Sequence, residues 1–136
     1  GELLTLASLI EKETGFAPDR PRVSRVFHNR LGEGMRLQTD VSVIYGLGAA
    51  FHGDLTRADL RRDTPYNSYR RAGLPPTPIA FPGAAALNAA AHPEPGAWRY
   101  FVARGDGTSV FSVTLADHET AVDRYQRQGA AKGTAP

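Results

Sequence analysis

The run Leu3-Leu4-Thr5-Leu6-Ala7-Ser8-Leu9-Ile10-Glu11-Lys12-Glu13-Thr14 sets Leu3, Leu6, Ala7 and Ile10 at helical spacing, with Leu4 and Leu9 widening the apolar stripe. This pattern predicts a well-buried helix over residues 3–14, ended by Gly15. Its last turn carries two carboxylates. At 100° per residue, Glu13 lies about 70° from the stripe centre and Glu11 about 90° away on the other side, so helical phase hardly separates them. A carboxylate at a helix C-terminus meets the negative end of the macrodipole, and partial burial adds to that cost. Both effects raise a glutamate pKa above its reference of about 4.3. A protonated carboxyl at the edge of a groove is what general acid catalysis requires. The alternative is a solvated last turn in which Lys12 screens its neighbours.

Working outward, a second helix is expected to start near Pro18-Asp19 and to carry Val23, Val26, Phe27 and Leu31 on one face, stopped by Gly32 and Gly34. Residues 35–39 look extended. Thr39 or Asp40 then caps a short helical segment over 41–45, closed by Gly46 and Gly48. Thr56 and Asp59 form a capping-box pattern before a helix over 57–62. Prolines at 65, 75, 76, 78 and 82 withhold backbone donors and make residues 63–82 a long shaped loop. Residues 84–91 have the alanine-rich composition of a short helix, halted at His92-Pro93. Two β-prone runs, 99–104 and 109–112, flank Gly105-Asp106-Gly107, a hairpin signal. Thr114 caps a last helix bearing Leu115, Val122 and Tyr125. The fold class is therefore α+β, a helical domain with a small antiparallel β-hairpin. One domain is expected over residues 1–128, with a frayed tail at 129–136.

The length of 136 residues suits one domain, and 41% hydrophobic with 22% charged residues is a globular balance. The longest apolar stretch, 3–10, is far short of the roughly 20 residues that a membrane span needs. Sixteen basic residues against 14 acidic ones leave +2, too small and too dispersed an excess for a nucleic-acid partner. With no cysteine, disulfides, thiolate metal sites and thiol nucleophiles are excluded. His28, His52, His92 and His118 show no paired ligand spacing, so no metal and no cofactor are expected. No G-x-S-x-G pattern supports serine catalysis. The chain starts at Gly1-Glu2 without an initiator Met, which suggests a piece of a longer protein with any signal or anchor upstream.

Two further clusters are chemically suggestive. Gln38-Thr39-Asp40 is followed by Tyr45, and Tyr66-Asn67-Ser68-Tyr69 stands before Leu74-Pro75-Pro76. Rings flanked by amides and hydroxyls suit sugars, whose C–H faces pack on aromatics while their hydroxyls need fixed partners. The alternative is that these residues pack the loop onto the core.

Several motifs in register resemble a known family. They are Leu6-Ala7-Ser8-Leu9-Ile10-Glu11-Lys12-Glu13-Thr14, Val26-Phe27-His28-Asn29-Arg30-Leu31, Gly34-Met35-Arg36-Leu37-Gln38-Thr39-Asp40 and Val43-Ile44-Tyr45-Gly46. Pro65-Tyr66-Asn67-Ser68-Tyr69, Gly73-Leu74-Pro75-Pro76-Thr77-Pro78-Ile79-Ala80, Ala90-Ala91-His92-Pro93 and Tyr100-Phe101-Val102-Ala103 continue the series. Together they are similar to the catalytic domain of the YceG-like (MltG) endolytic murein transglycosylases. The sequence departs from that pattern at Val41, Phe81, Ser109 and Glu119. The resemblance implies a lysozyme-like cleft and cleavage of the β-1,4 bond between N-acetylmuramic acid and N-acetylglucosamine, giving 1,6-anhydro ends that terminate or trim nascent strands.

It assigns the catalytic acid to Glu13, the second glutamate of its motif, and so resolves what helical phase left open. Gln38, Tyr45, Tyr66, Asn67 and Tyr69 are candidates for the substrate wall. Asp40 is a candidate too, orienting a side chain or steadying developing positive charge, with the cap of the 41–45 segment as its other role. Asn29, one turn from Arg25, is a candidate for bonding Glu13 or backbone. The implied partners are peptidoglycan glycan strands and cell-wall synthesis machinery such as penicillin-binding proteins. The implied location is the extracytoplasmic face of the bacterial cytoplasmic membrane, held there by an upstream membrane helix. A non-catalytic peptidoglycan-binding module is the competing reading, and hydrolysis with Asp40 or Asp63 activating water is a third.

Overall fold

The computed structural model describes residues 1–127. Helix α1 (Glu2–Glu13) buries Thr5 through Ile10 as one continuous block. Its first turn differs from the expected buried stripe, because Leu3 and Leu4 remain 48% and 43% exposed. Both lie instead along an open cavity of about 800 Å³, walled on the far side by Pro75, Pro76 and Pro78. Helix α2 (Arg20–Gly32) begins at the residue after Pro18-Asp19, which belong to a 3-10 turn over Ala17–Asp19, and Pro21 occupies its first turn. Proline fits there because the first helical N–H groups have no intrahelical acceptor.

Helix α3 (Asp40–Leu47) follows an extended approach, and α4 (Arg57–Arg61) starts at the expected capping box, with Thr56 and Asp59 satisfying each other's backbone N–H groups. Helix α5 (Ala84–Ala91) buries Ala86, Ala89 and Ala90 almost completely. Their small side chains allow α5 to lie close against both α1 and α2. Leu6, Leu9, Ile10, Val23, Phe27, Leu37 and Ile79 complete this core. Full burial of each large apolar side chain is worth about 1.5–3 kcal/mol, and truncating Phe27 would cost roughly 3–5 kcal/mol.

Strands β1 (Tyr100–Ala103) and β2 (Ser109–Ser112) pair antiparallel, with Tyr100 opposite Ser112 and Ala103 opposite Ser109. The turn between them needs left-handed backbone, which Gly105 and Gly107 supply at φ 94° and 93°. The hairpin is fixed to the helical core by an edge-to-face contact between Phe101 and Phe27, 6.0 Å between centroids. Helix α6 (Leu115–Val122), capped by Thr114 as expected, packs on both strands and continues as a π-helical turn over Asp123–Arg127. Leu115 is 53% exposed rather than part of the core. The α+β architecture agrees with the sequence expectation; the expected tail at 129–136 lies outside the described residues.

Residues 63–82 form no regular helix or strand, yet they are firmly attached. Ile79 N–H donates to Ser8 Oγ at 3.0 Å, and Gly83 N–H donates to Glu11 Oε1 at 2.7 Å, fastening the loop's end to α1. Its beginning is held by hydroxyls. Ser68 Oγ accepts from Thr39 N–H at 2.9 Å and lies 2.9 Å from Ser42 Oγ and 3.2 Å from Thr39 Oγ1, all buried. Gly46 lets α3 approach this loop, since a Cβ there would come 2.8 Å from Tyr66 Cβ.

Candidate active site

A cleft of about 390 Å³ opens where the end of α1, the start of α3, the middle of α2, the hairpin and α6 converge. Glu13 enters it as the last residue of α1. The residue is half-buried, and its Oε2 is shut off from solvent with no hydrogen-bond partner among the described residues. Burial of the charged form, followed by the nearby negative charge of Asp40, pushes the Glu13 carboxyl up from 4.5 to about 7. Near neutrality this group is therefore divided between acid and base. Glu11 is engaged elsewhere, its carboxylate accepting the Gly83 N–H on the other side of the helix.

Asp40 lines the same cleft. The expectation that Asp40 caps the third helix is corrected: Thr39 occupies the N-cap position without a side-chain cap bond, and Asp40 is the first helical residue. Its Oδ1 instead accepts from the Tyr69 hydroxyl at 2.6 Å. Burial, and then that bond to Asp40, push the Tyr69 phenol up and keep it a neutral donor. Gln38 also lines the cleft, with φ of 54°, a left-handed conformation uncommon for a residue with a side chain. A backbone bond from Gln38 N–H to Ser68 C=O at 3.2 Å holds it there.

The remaining sequence candidates lie elsewhere. Asn67 is buried, donating to the Leu60 and Arg62 carbonyls and accepting from Tyr69 N–H, so its amide braces the loop behind the cleft. Asn29 donates to the Gly96 and Trp98 carbonyls, at 3.2 and 2.8 Å, and bonds neither Glu13 nor the cleft lining. Tyr45 and Tyr66 contact each other, 5.0 Å between ring centroids, outside the cleft, and the Tyr66 hydroxyl meets Thr77 Oγ1. Asp63 is exposed and holds Arg71 through both carboxylate oxygens at 2.9 and 3.3 Å.

Arg30, Phe101, His118 and Gln126 line the cleft without having been site candidates in the sequence, and Ser109, noted there as a departure from the family pattern, lines it as well. A signal existed for Arg30. It completes the spacing Val23, Val26, Phe27, Arg30 on the core face of α2, where a charge is out of place unless it has work or partners. It has partners: its guanidinium donates to the Arg99 carbonyl at 2.6 Å and the Arg36 carbonyl at 2.8 Å, and stands 5.0 Å over the Tyr100 ring. His118 lies four residues before Val122, on the same face of α6. No cluster of three or more His, Cys, Asp or Glu suited to a metal ion occurs among the described residues.

Fold and site together define an α+β protein organised around a recessed acid in a polar cleft. A sequence model described as the YceG-like family matches residues 1–124, and the chain belongs to that family. It is 44% identical over 125 residues to a Bacillus subtilis protein named endolytic murein transglycosylase, covering 91% of this chain and 34% of that protein. It is 34% identical over 129 residues to a Streptococcus pneumoniae protein of the same name, covering 91% of this chain and 23% of that protein. The chain thus spans about a third or less of the length of these curated relatives. A crystal structure of a yceG-like protein from Listeria monocytogenes superposes with a TM-score of 0.82 at 43% identity, covering 88% of this chain and 39% of that chain.

Proposed function

We propose that this chain carries the catalytic centre of a lytic transglycosylase acting within peptidoglycan glycan strands, with Glu13 as both acid and base. The observation that carries the proposal is the Glu13 carboxyl, recessed in the cleft and pushed up to about 7. The names of the relatives at 44% and 34% identity support the substrate class.

In this reading Glu13 protonates the oxygen linking N-acetylmuramic acid to N-acetylglucosamine, and the bond from that oxygen to the muramic anomeric carbon breaks with oxocarbenium-like charge. The resulting Glu13 carboxylate then removes the proton from the muramic 6-hydroxyl as that oxygen bonds to the anomeric carbon. A 1,6-anhydro end forms, Glu13 is again protonated, and no water is consumed. Glycosidases that use water or a covalent intermediate need a second carboxylate about 5–9.5 Å from the acid. Here the nucleophile belongs to the substrate, so intramolecular proximity replaces that group. Asp40 then raises the Glu13 affinity for its proton, and its charge favours the positively charged transition state.

The biological setting belongs to the same proposal: action at the extracytoplasmic face of the cytoplasmic membrane, ending or trimming strands as they emerge beside synthases such as penicillin-binding proteins. No helix among the described residues is long and apolar enough to cross a membrane, so anchoring would fall to another part of the protein. The test is digestion of purified sacculi by the wild type and by Glu13→Gln, with mass spectrometry of the released ends. The wild type is expected to give anhydro ends and the variant none, with its fold unchanged by circular dichroism. Ends one water heavier would establish hydrolysis instead. Binding without any cleavage by the wild type would establish a glycan-binding module.

A further inference from the structure

His118 reaches the cleft from α6 and takes no part in the chemistry assigned to Glu13. Its ring stacks on Tyr100, 4.9 Å between centroids and 21° between planes, and Arg30 stands over Tyr100 at 5.0 Å. The orientation of the imidazole is therefore set by packing before any ligand arrives. Of its two ring nitrogens, Nδ1 is shut off from solvent without a partner, and neither nitrogen has a hydrogen bond among the described residues. A buried Nδ1–H with no acceptor costs more than a bare lone pair, so the favoured tautomer carries its proton on Nε2. Burial, and next the positive charge of Arg30, lower the His118 pKa, with Glu119 opposing, so the ring is neutral near pH 7.

A preset, neutral imidazole without an internal hydrogen bond, lining the same sugar-sized cleft as Glu13, is a recognition element in search of an acceptor. Resting on the transglycosylase reading, we propose that His118 is a substrate-contacting residue that donates Nε2–H to an oxygen of the bound amino sugar, holding the ring in register with Glu13. Arg30 and Tyr100 are the positioning residues that hold the imidazole in place. Tyr100 does so by its ring face, and Arg30 by fixing Tyr100 while bonded to two carbonyls of its own.

The experiment measures binding of purified glycan strands to the Glu13→Gln protein, where no cleavage intervenes, and compares it after further change at His118. His118→Phe keeps a ring to stack on Tyr100 but removes the donor, and is expected to weaken binding about fivefold to tenfold. His118→Gln can place an amide N–H near the Nε2 position and should recover most of that loss, whereas His118→Asn, whose amide falls nearer Nδ1, should not. The same order should appear in KM for sacculus digestion with Glu13 intact. Equal binding by the Phe, Gln and Asn variants, with all three folded, would overturn the contact while leaving the transglycosylase reading intact. Failure of the wild type to bind or cleave glycan strands would overturn both.

Discussion

Replacing the proposed acid should make the protein more stable, by an amount that grows from nothing below about pH 4.5 to its full size above about pH 7. A carboxyl raised from 4.5 to about 7 in the folded chain binds its proton more tightly there than in the unfolded chain. Below about pH 4.5 both states are protonated and the environment of Glu13 costs nothing through titration. As pH rises from there to about 7 the unfolded chain loses its proton first, so the folded state is progressively disfavoured; above 7 the cost is complete. The rise corresponds to about 3 kcal/mol at 1.36 kcal/mol per pKa unit, an upper figure because the half-buried residue retains some contact with water. Glu13→Gln removes the charge with little change of shape. Urea unfolding at pH 4 and pH 8 should therefore show near-equal stability at the lower value and a gain of about 2–3 kcal/mol for the variant at the higher. In thermal melts the gain at pH 8 corresponds to roughly 6–12 °C. A gain of the same size at both pH values would mean that packing, not titration, is responsible. No gain at pH 8 would mean that Glu13 is ionised at little cost, and the argument for a recessed acid would fail.

The neighbouring groups give two further expectations. In Asp40→Asn the negative charge next to Glu13 is removed, so the Glu13 pKa falls, and the loss of kcat/KM with rising pH, which tracks deprotonation of the acid, should begin at lower pH than in the wild type; an unmoved limb would detach Asp40 from the acid. Ser68→Ala removes the hydroxyl shared by Thr39 and Ser42 and leaves buried polar atoms short of a partner, for a destabilisation of about 1–3 kcal/mol in urea titration, and a loss below 0.5 kcal/mol would show that the hydroxyls rearrange freely.

Local signals in the sequence located the elements well because each rests on nearby residues. The Thr56–Asp59 box, the alanine run of α5 and the paired glycines of the hairpin state their own structure within a few positions. Leu3 and Leu4 misled because helical phase tells which residues share a face but not whether another element covers it. The same limit governed the site. Glu11 and Glu13 could not be separated by phase, and what separates them is a loop about 70 residues away, whose Gly83 takes the first and leaves the second to the cleft. Asn67 and Tyr69 are two residues apart, yet one faces the loop's interior and the other faces Asp40. Arg30 and His118 carried weak local signals, a polar group on an otherwise apolar face, whose meaning depends on the hairpin packed opposite.

The buried hydroxyls bear on more than the loop they hold. Ser68 immediately precedes Tyr69 and Thr39 immediately precedes Asp40, so the lattice that joins Ser68 to Thr39 ties the two main chains together one residue upstream of the phenol–carboxylate pair. The placement of that pair is thereby constrained from the backbone as well as by its own hydrogen bond, and the field that Asp40 exerts at Glu13 depends on both. A defect deep among these alcohols, in contact with neither sugar nor acid, would surface as an altered proton affinity at the far end of α1.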